Sequence, residues 1–190
     1  SEIPILFKRG LLPLDVAIVT VSPPDAHGYC TLGTSVDVAR SAVDTAKIII
    51  AQVNPRMPRT HGDGMIHYTK IHKMVWHEEE LLIVDYGTNV GDCEMLIGKH
   101  VAELIDDRST LQMGIGTIPD AVLQCLHNHK DLGVHTEMIS DGIVDLVAND
   151  VINNKYKGTH LNRTITSFAF GTRKLYDYID DNPSFEFMDV

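Results

Sequence analysis

Two segments of this sequence hold residues whose types and spacing could do chemistry. The first is Gly114-Ile115-Gly116-Thr117-Ile118-Pro119, which follows a predicted strand and opens a predicted helix. Glycines in such a turn let the backbone bend sharply and let a ligand approach it closely. Thr117 reads as the helix N-cap, Pro119 is tolerated in the first turn, and Asp120 completes a Thr-x-x-Asp capping signature. The helix start would then aim free backbone amides at the loop, an arrangement that suits a phosphate or a developing oxyanion. The segment lacks the third glycine of a dinucleotide fingerprint and is no Walker loop, so a plain strand-to-helix turn fits it as well. The second segment is His135-Thr136-Glu137-Met138-Ile139-Ser140-Asp141-Gly142. A glutamate is unusual in a buried parallel strand, whose residues are apolar on both faces. Glu137 therefore lies at the strand's C-terminal end, where α/β folds bind ligands, or is paired, or is a surface or edge carboxylate.

Two further loops follow predicted buried strands, where binding loops belong: Ser22-Pro23-Pro24-Asp25-Ala26-His27-Gly28-Tyr29, and the stretch from Asn54 through Arg56, Arg59 and His61 to Asp63. Rigid proline-fixed connections would look the same. The ten histidines include His67, His72 and His77 at five-residue intervals, and His127 and His129 either side of Asn128. Neither spacing matches a metal-ligand pattern, and no cysteine pair joins them, so no metal site is expected. No Gly-x-Ser-x-Gly is present, so a serine hydrolase has no support. Cys125 falls in an apolar helical pattern and reads as core.

The elements that must position these residues alternate. Apolar runs at 15–21, 47–53 and 81–85 read as strands, with a short one at 29–32. A helix capped by Ser35 carries Val36, Ala39, Val43 and Ala46 at helical spacing. After Gly87-Thr88-Asn89-Val90-Gly91 comes a helix with Met95, Ile97, Val101, Leu104 and Ile105 as its apolar set. Then follow a strand at 110–113, a helix at 118–127, a strand at 134–139, a helix at 143–151, a strand at 165–170, a helix at 172–179 and a strand at 185–188. This alternation predicts an α/β fold with mainly parallel sheets. The glycine-bounded stretch 87–91 is the natural boundary, giving units at 1–90 and 91–190. Of the 190 residues, 44% are hydrophobic and 22% charged, so a packed core is expected. A formal net charge of −10 argues against nucleic-acid partners. Three cysteines, Cys30, Cys93 and Cys125, argue against a disulfide framework and for a cytoplasmic setting. No apolar stretch approaches the ~20 residues of a membrane span. Both ends read as cut, so a fragment of a longer enzyme is expected.

Taken together, the loop SPPDAHGYCTLG (22–33), the loop NPRMPRTHGDGMIH (54–67), the turn GIGTIP (114–119) and the segment HTEMISDG (135–142) resemble the acetyl-CoA hydrolase/transferase family, in that family's order. The resemblance runs along the whole chain. It implies two open, mainly parallel α/β domains of the CoA-transferase type, each only partly present. Residues 1–90 would be the later part of the N-terminal domain, and residues 91–190 the first part of the C-terminal domain. The family's nucleophilic glutamate falls on Glu137. The CoA-contacting loop falls on Gly114, Ile115, Gly116, Thr117 and Ile118, with the Ile115 and Gly116 amides as oxyanion donors. The activity implied is CoA transfer between an acyl-CoA and a short carboxylate such as acetate, butyrate or 4-hydroxybutyrate. An acyl-CoA hydrolase and a non-catalytic CoA-binding fragment are the alternatives. Coenzyme A enters as substrate, no tightly bound cofactor is implied, and the full-length enzyme would be a homodimer. The family's later glycine-rich loops lie beyond Val190, so little activity is expected of residues 1–190 alone.

Overall fold

The computed structural model describes residues 2–190. The chain divides into two compact units, residues 1–82 with 179–190, and residues 83–178. In the first, a short helix α1 (Ile3–Lys8) precedes strand β1 (Val16–Val21). Strand β2 (Tyr29–Thr31), helix α2 (Asp37–Thr45) and strand β3 (Ile48–Val53) follow, then the short strands β4 (His61–Gly62) and β5 (Met65–His67), and finally β6 (Lys73–Trp76). β1, β3 and β6 form a parallel sheet, in register from Val16↔Ile48 to Val21↔Val53 and from Ile50↔Lys73 to Val53↔Trp76. β2 and β5 pair antiparallel. Val21, Cys30, Val36, Ala51, Val53 and Ile66 fill this unit's core.

Two expectations fail here. Ser35 does not cap α2. Its hydroxyl bonds the Asp37 carboxylate, and α2 has no side-chain cap. Residues 81–85 form no strand. Leu82 and Ile83 are exposed, and the bond from the Val84 amide to the Gly171 carbonyl at 3.0 Å does not extend into a ladder. The sheet's third strand is β6, whose four residues are all exposed, so it carries no buried-strand signature.

The second unit holds helix α3 (Asp92–Ala102), strand β7 (Thr110–Leu111), helix α4 (Thr117–Gln124) and strands β8 (Gly133–Val134) and β9 (Met138–Ile139). Helix α5 (Gly142–Ala148), strands β10 (Thr164–Thr166) and β11 (Phe168–Ala169) and helix α6 (Arg173–Ile179) follow. β7 pairs parallel with β8, and β9 parallel with β11, while His135 bridges to Ile165 in the same sense. Leu123, Leu126, Val134, Ile139, Ile143 and Leu146 are buried. The chain then returns to the first unit, where β12 (Phe185–Phe187) pairs parallel with β4. The fold is thus α/β with mainly parallel pairing.

Helix α3 buries Gly98 and Ala102, not the larger apolar residues expected to form its packed face; of those, Ile97, Val101 and Leu104 are exposed and Met95 and Ile105 half-buried. The reason is close approach. A Cβ on Gly98 would stand 2.7 Å from the carbonyl oxygen of Ala121 on α4. Helix propensity alone favours Gly98→Ala by about 1 kcal/mol. The backbone clash outweighs it, so a net loss of about 1–3 kcal/mol is expected from thermal unfolding. A raised melting temperature would contradict this packing.

Candidate active site

The parallel pairing of β7 and β8 sets the site's geometry. Thr110 pairs with Gly133 and Leu111 with Val134, and the His135 amide donates to the Leu111 carbonyl at 3.0 Å. One step further, side chain replaces backbone. The Met113 amide donates to Thr136 Oγ1 at 2.9 Å, and that hydroxyl donates to the Met113 carbonyl at 3.0 Å. Carried forward, this register sets Gly114 level with Glu137. Both predicted segments therefore leave the C-terminal ends of neighbouring parallel strands, the edge at which α/β sheets bind ligands.

The strand predicted as continuous over 134–139 is broken at Glu137, which occupies a bend between β8 and β9. Its backbone carbonyl accepts from the amides of Ser167 (2.8 Å) and Phe168 (3.0 Å) and from Thr166 Oγ1 (3.1 Å). Thr136 before it and Met138 after it are buried, whereas Glu137 is exposed. The backbone is thus fixed on both sides while the side chain faces outward.

Gly116, not Thr117, is the N-cap of α4, and no side chain caps the helix. Gly116 has φ 121° and ψ −179°, a conformation that side-chain-bearing residues rarely adopt. Among the described residues, the amides of Ile115, Gly116, Thr117 and Ile118 have no acceptor within the chain. Pro119 brings none of its own. The result is a set of unpaired donors at a helix start, open to a ligand oxygen. Ile115 and Ile118 are exposed beside them. A largely apolar cavity of about 260 Å³ runs beneath this turn, lined by Val101, Leu111, Met113, Gly114, Ile118 and Val122 among others.

Asp120 does not complete a capping box. It is 2% exposed, and it accepts a 2.6 Å hydrogen bond from Ser140 Oγ, itself 5% exposed. Burial pushes the Asp120 carboxyl above the usual carboxylate range. The charges of Asp141 and Asp85 push the same way, against the Ser140 hydrogen bond. Asp120 borders a second cavity, distinct from the apolar one, which His127, Asp145 and Lys174 also line, with Lys174 paired to Asp145 at 2.7 Å. In the unfolded chain this carboxyl loses its proton near pH 4. The folded state holds the proton to higher pH, so stability falls as pH rises through that interval and stays lower above it. Asp120→Asn keeps an acceptor for Ser140 and removes the titration. Its melting temperature is expected to match the wild type below pH ~4 and to exceed it increasingly as pH rises. A constant difference at all pH values would refute the assignment.

The two N-terminal loops meet within their own unit. Arg59 pairs with Asp25 at 2.8 Å and donates to the Tyr29 carbonyl at 3.1 Å. Asp25 also accepts from the Tyr29 and His27 amides at 2.8 and 2.9 Å. These amides, with Arg59, hold its carboxyl below the usual range. Thr60 bonds the Gly33 carbonyl at 2.8 Å. Among the described residues, no group of three His, Cys, Asp or Glu is disposed to hold a metal ion, and no helix is long and apolar enough to cross a membrane. Cys30, Cys93 and Cys125 are free thiols, and Cys125 is only half-buried. Thr136, Asp120 and Ser140 are the structural partners that sequence reasoning missed.

Residues 1–85 match the model of the acetyl-CoA hydrolase/transferase N-terminal domain. Over 185 residues the chain is 49% identical to the 4-hydroxybutyrate coenzyme A transferase of Clostridium kluyveri, covering 97% of this chain and 43% of that protein. It is 47% identical over 191 residues to the succinyl-CoA:acetate/propanoyl-CoA:succinate CoA transferase of Fasciola hepatica, covering 100% of this chain and 40% of that protein. The crystal structure of 4-hydroxybutyrate CoA-transferase from Porphyromonas gingivalis superposes with a TM-score of 0.93 at 42% identity, over 99% of this chain and 48% of that one. The chain therefore spans less than half the length of these relatives. With sequence and backbone alike matched along nearly all of its length, the chain belongs to the acetyl-CoA hydrolase/transferase family.

Proposed function

We propose that this chain carries the nucleophile and the oxyanion loop of an acyl-CoA:carboxylate CoA-transferase. The observation that carries the reading is the strand register that sets Gly114 level with Glu137, locked by the paired hydrogen bonds of Thr136 and Met113. The names of the relatives support the same chemistry. The Glu137 carboxylate attacks the thioester carbonyl, the carbon–sulfur bond breaks, and CoA thiolate leaves an acyl-glutamyl anhydride. The thiolate then attacks the glutamyl carbonyl and expels the first acid, giving a glutamyl-CoA thioester. A second carboxylate reverses both steps. Covalent catalysis divides one difficult exchange into easier ones, and a thioester is made for each one broken, so no ATP is consumed. The Ile115 and Gly116 amides hold the tetrahedral oxyanion, and the loop from Gly114 to Ile118 receives CoA. Short acids such as acetate, butyrate or 4-hydroxybutyrate are the acceptors.

In the same reading residues 1–90 belong to the N-terminal domain and residues 91–190 to the C-terminal domain; the match over residues 1–85 supports the first range, while residues 179–190 pack with the first compact unit and depart from the second. In this reading the full-length enzyme is a homodimer that works in the cytoplasm. The test is borohydride reduction of the full-length protein after addition of acyl-CoA, followed by peptide mass mapping. The expected product is an alcohol in place of the Glu137 carboxyl; a label elsewhere refutes the reading. Thioester loss that does not respond to added acetate would indicate the hydrolase alternative, in which water intercepts the glutamyl thioester.

A further inference from the structure

The two segments that carry the chemistry are 113–120 and 136–140, and side chains join them at both ends. Thr136 ties to the Met113 backbone at the start. Ser140 ties to Asp120 at the finish, through a 2.6 Å bond between groups 5% and 2% exposed. Between these two ties lie Glu137 on one segment and the uncapped helix start on the other. The second tie is walled in. A Cβ on Gly142 would stand 2.8 Å from Leu123 Cδ1 and 3.6 Å from Asp120 Oδ1, so α5 closes over the pair. Asp141, the next residue, accepts from the Thr172 amide at 2.6 Å and anchors the same strand end to the start of α6. A buried carboxylate that neither caps its helix nor pairs with a cation is costly.

We propose that Asp120 and Ser140 are positioning residues, a clamp that fixes the amide end of α4 relative to the side-chain carboxyl of Glu137 during thioester exchange. The inference rests on the reading of Glu137 as the nucleophile. A shift of about 1 Å between reacting groups can lower a rate by ~10²-fold, so losing one of two ties is expected to slow adduct formation about tenfold or more. Substrate capture depends on the wider surface and should change little.

The experiment uses the full-length protein and single-turnover formation of the Glu137–CoA adduct, normalised to folded protein. Ser140→Ala, Asp120→Ala, the double variant and Asp120→Asn are compared with the wild type. Both alanine variants are expected to slow adduct formation about tenfold or more, with KM within about threefold. The double variant should be no slower than the worse single one, because both remove one shared contact. Asp120→Asn should recover most of the rate, since its amide oxygen still accepts from Ser140. Should Asp120→Ala fail to fold, Ser140→Ala decides alone, being only the loss of a hydroxyl. Wild-type rates per folded site in Ser140→Ala, or additive losses in the double variant, overturn the clamp while leaving the nucleophile in place. Absence of any adduct at Glu137 in the wild type overturns both.

Discussion

Replacing Glu137 with alanine is expected to lower turnover in the full-length protein by on the order of 10⁴-fold or more, as removal of a covalent nucleophile does elsewhere. Glu137→Gln should do nearly the same, because an amide is a poor nucleophile. Neither change should disturb folding. The bonds that fix this residue use its backbone carbonyl, which accepts from Ser167, Phe168 and Thr166 and survives both substitutions. The side chain is exposed, so stability should stay within about 0.5 kcal/mol. This separation of activity from stability distinguishes a nucleophile from a structural carboxylate. Asp120 shows the contrast: its carboxyl is buried and hydrogen-bonded, and changing it is expected to alter the fold's pH response. Normal turnover in Glu137→Ala, or a melting temperature that falls with activity, would exclude the assigned role.

The elements that carry these residues were partly legible in the sequence because period and punctuation report backbone state, whereas the roles of the residues came from the resemblance alone. The apolar runs behind β1 and β3, and the glycines at 114 and 116, mark strands and a turn without help from tertiary contacts. What was not legible depends on partners distant in sequence. The stretch 134–139 reads as one strand, yet it breaks at Glu137 because Thr136 turns its hydroxyl to Met113 and the Glu137 carbonyl takes three donors from residues 166–168. Asp120 looks like a capping residue from its spacing after Thr117, and only folding brings Ser140 close enough to claim it. The run at 81–85 is apolar but has no strand beside it, whereas exposed β6 has one in β3. The pairing of Phe185–Phe187 with His61–Gly62 joins residues more than a hundred positions apart, which no local pattern encodes.

Gly116 offers the second large effect. At φ 121° and ψ −179° it occupies a backbone region open essentially to glycine alone. Nothing lies within 4 Å of where its Cβ would stand, so a side chain there meets no steric wall. The consequence of Gly116→Ala or Gly116→Val is therefore conformational. The backbone must rotate towards negative φ, and the peptide planes on either side of residue 116 rotate with it. Those planes carry the Gly116 and Thr117 amides, two of the donors at the start of α4. Misaligning one oxyanion donor typically lowers a rate by ~10²–10³-fold. The strain relieved or imposed at such a residue is about 1–3 kcal/mol, so the fold should survive in a protein with an intact core. Substrate affinity should fall less than the rate, because a donor aimed at the tetrahedral oxyanion acts chiefly in the transition state. Rapid-quench measurement of adduct formation on Glu137 reads this directly. A valine variant that forms the adduct at the wild-type rate would show that the amides of this turn do not serve the reaction, whatever CoA itself contacts there.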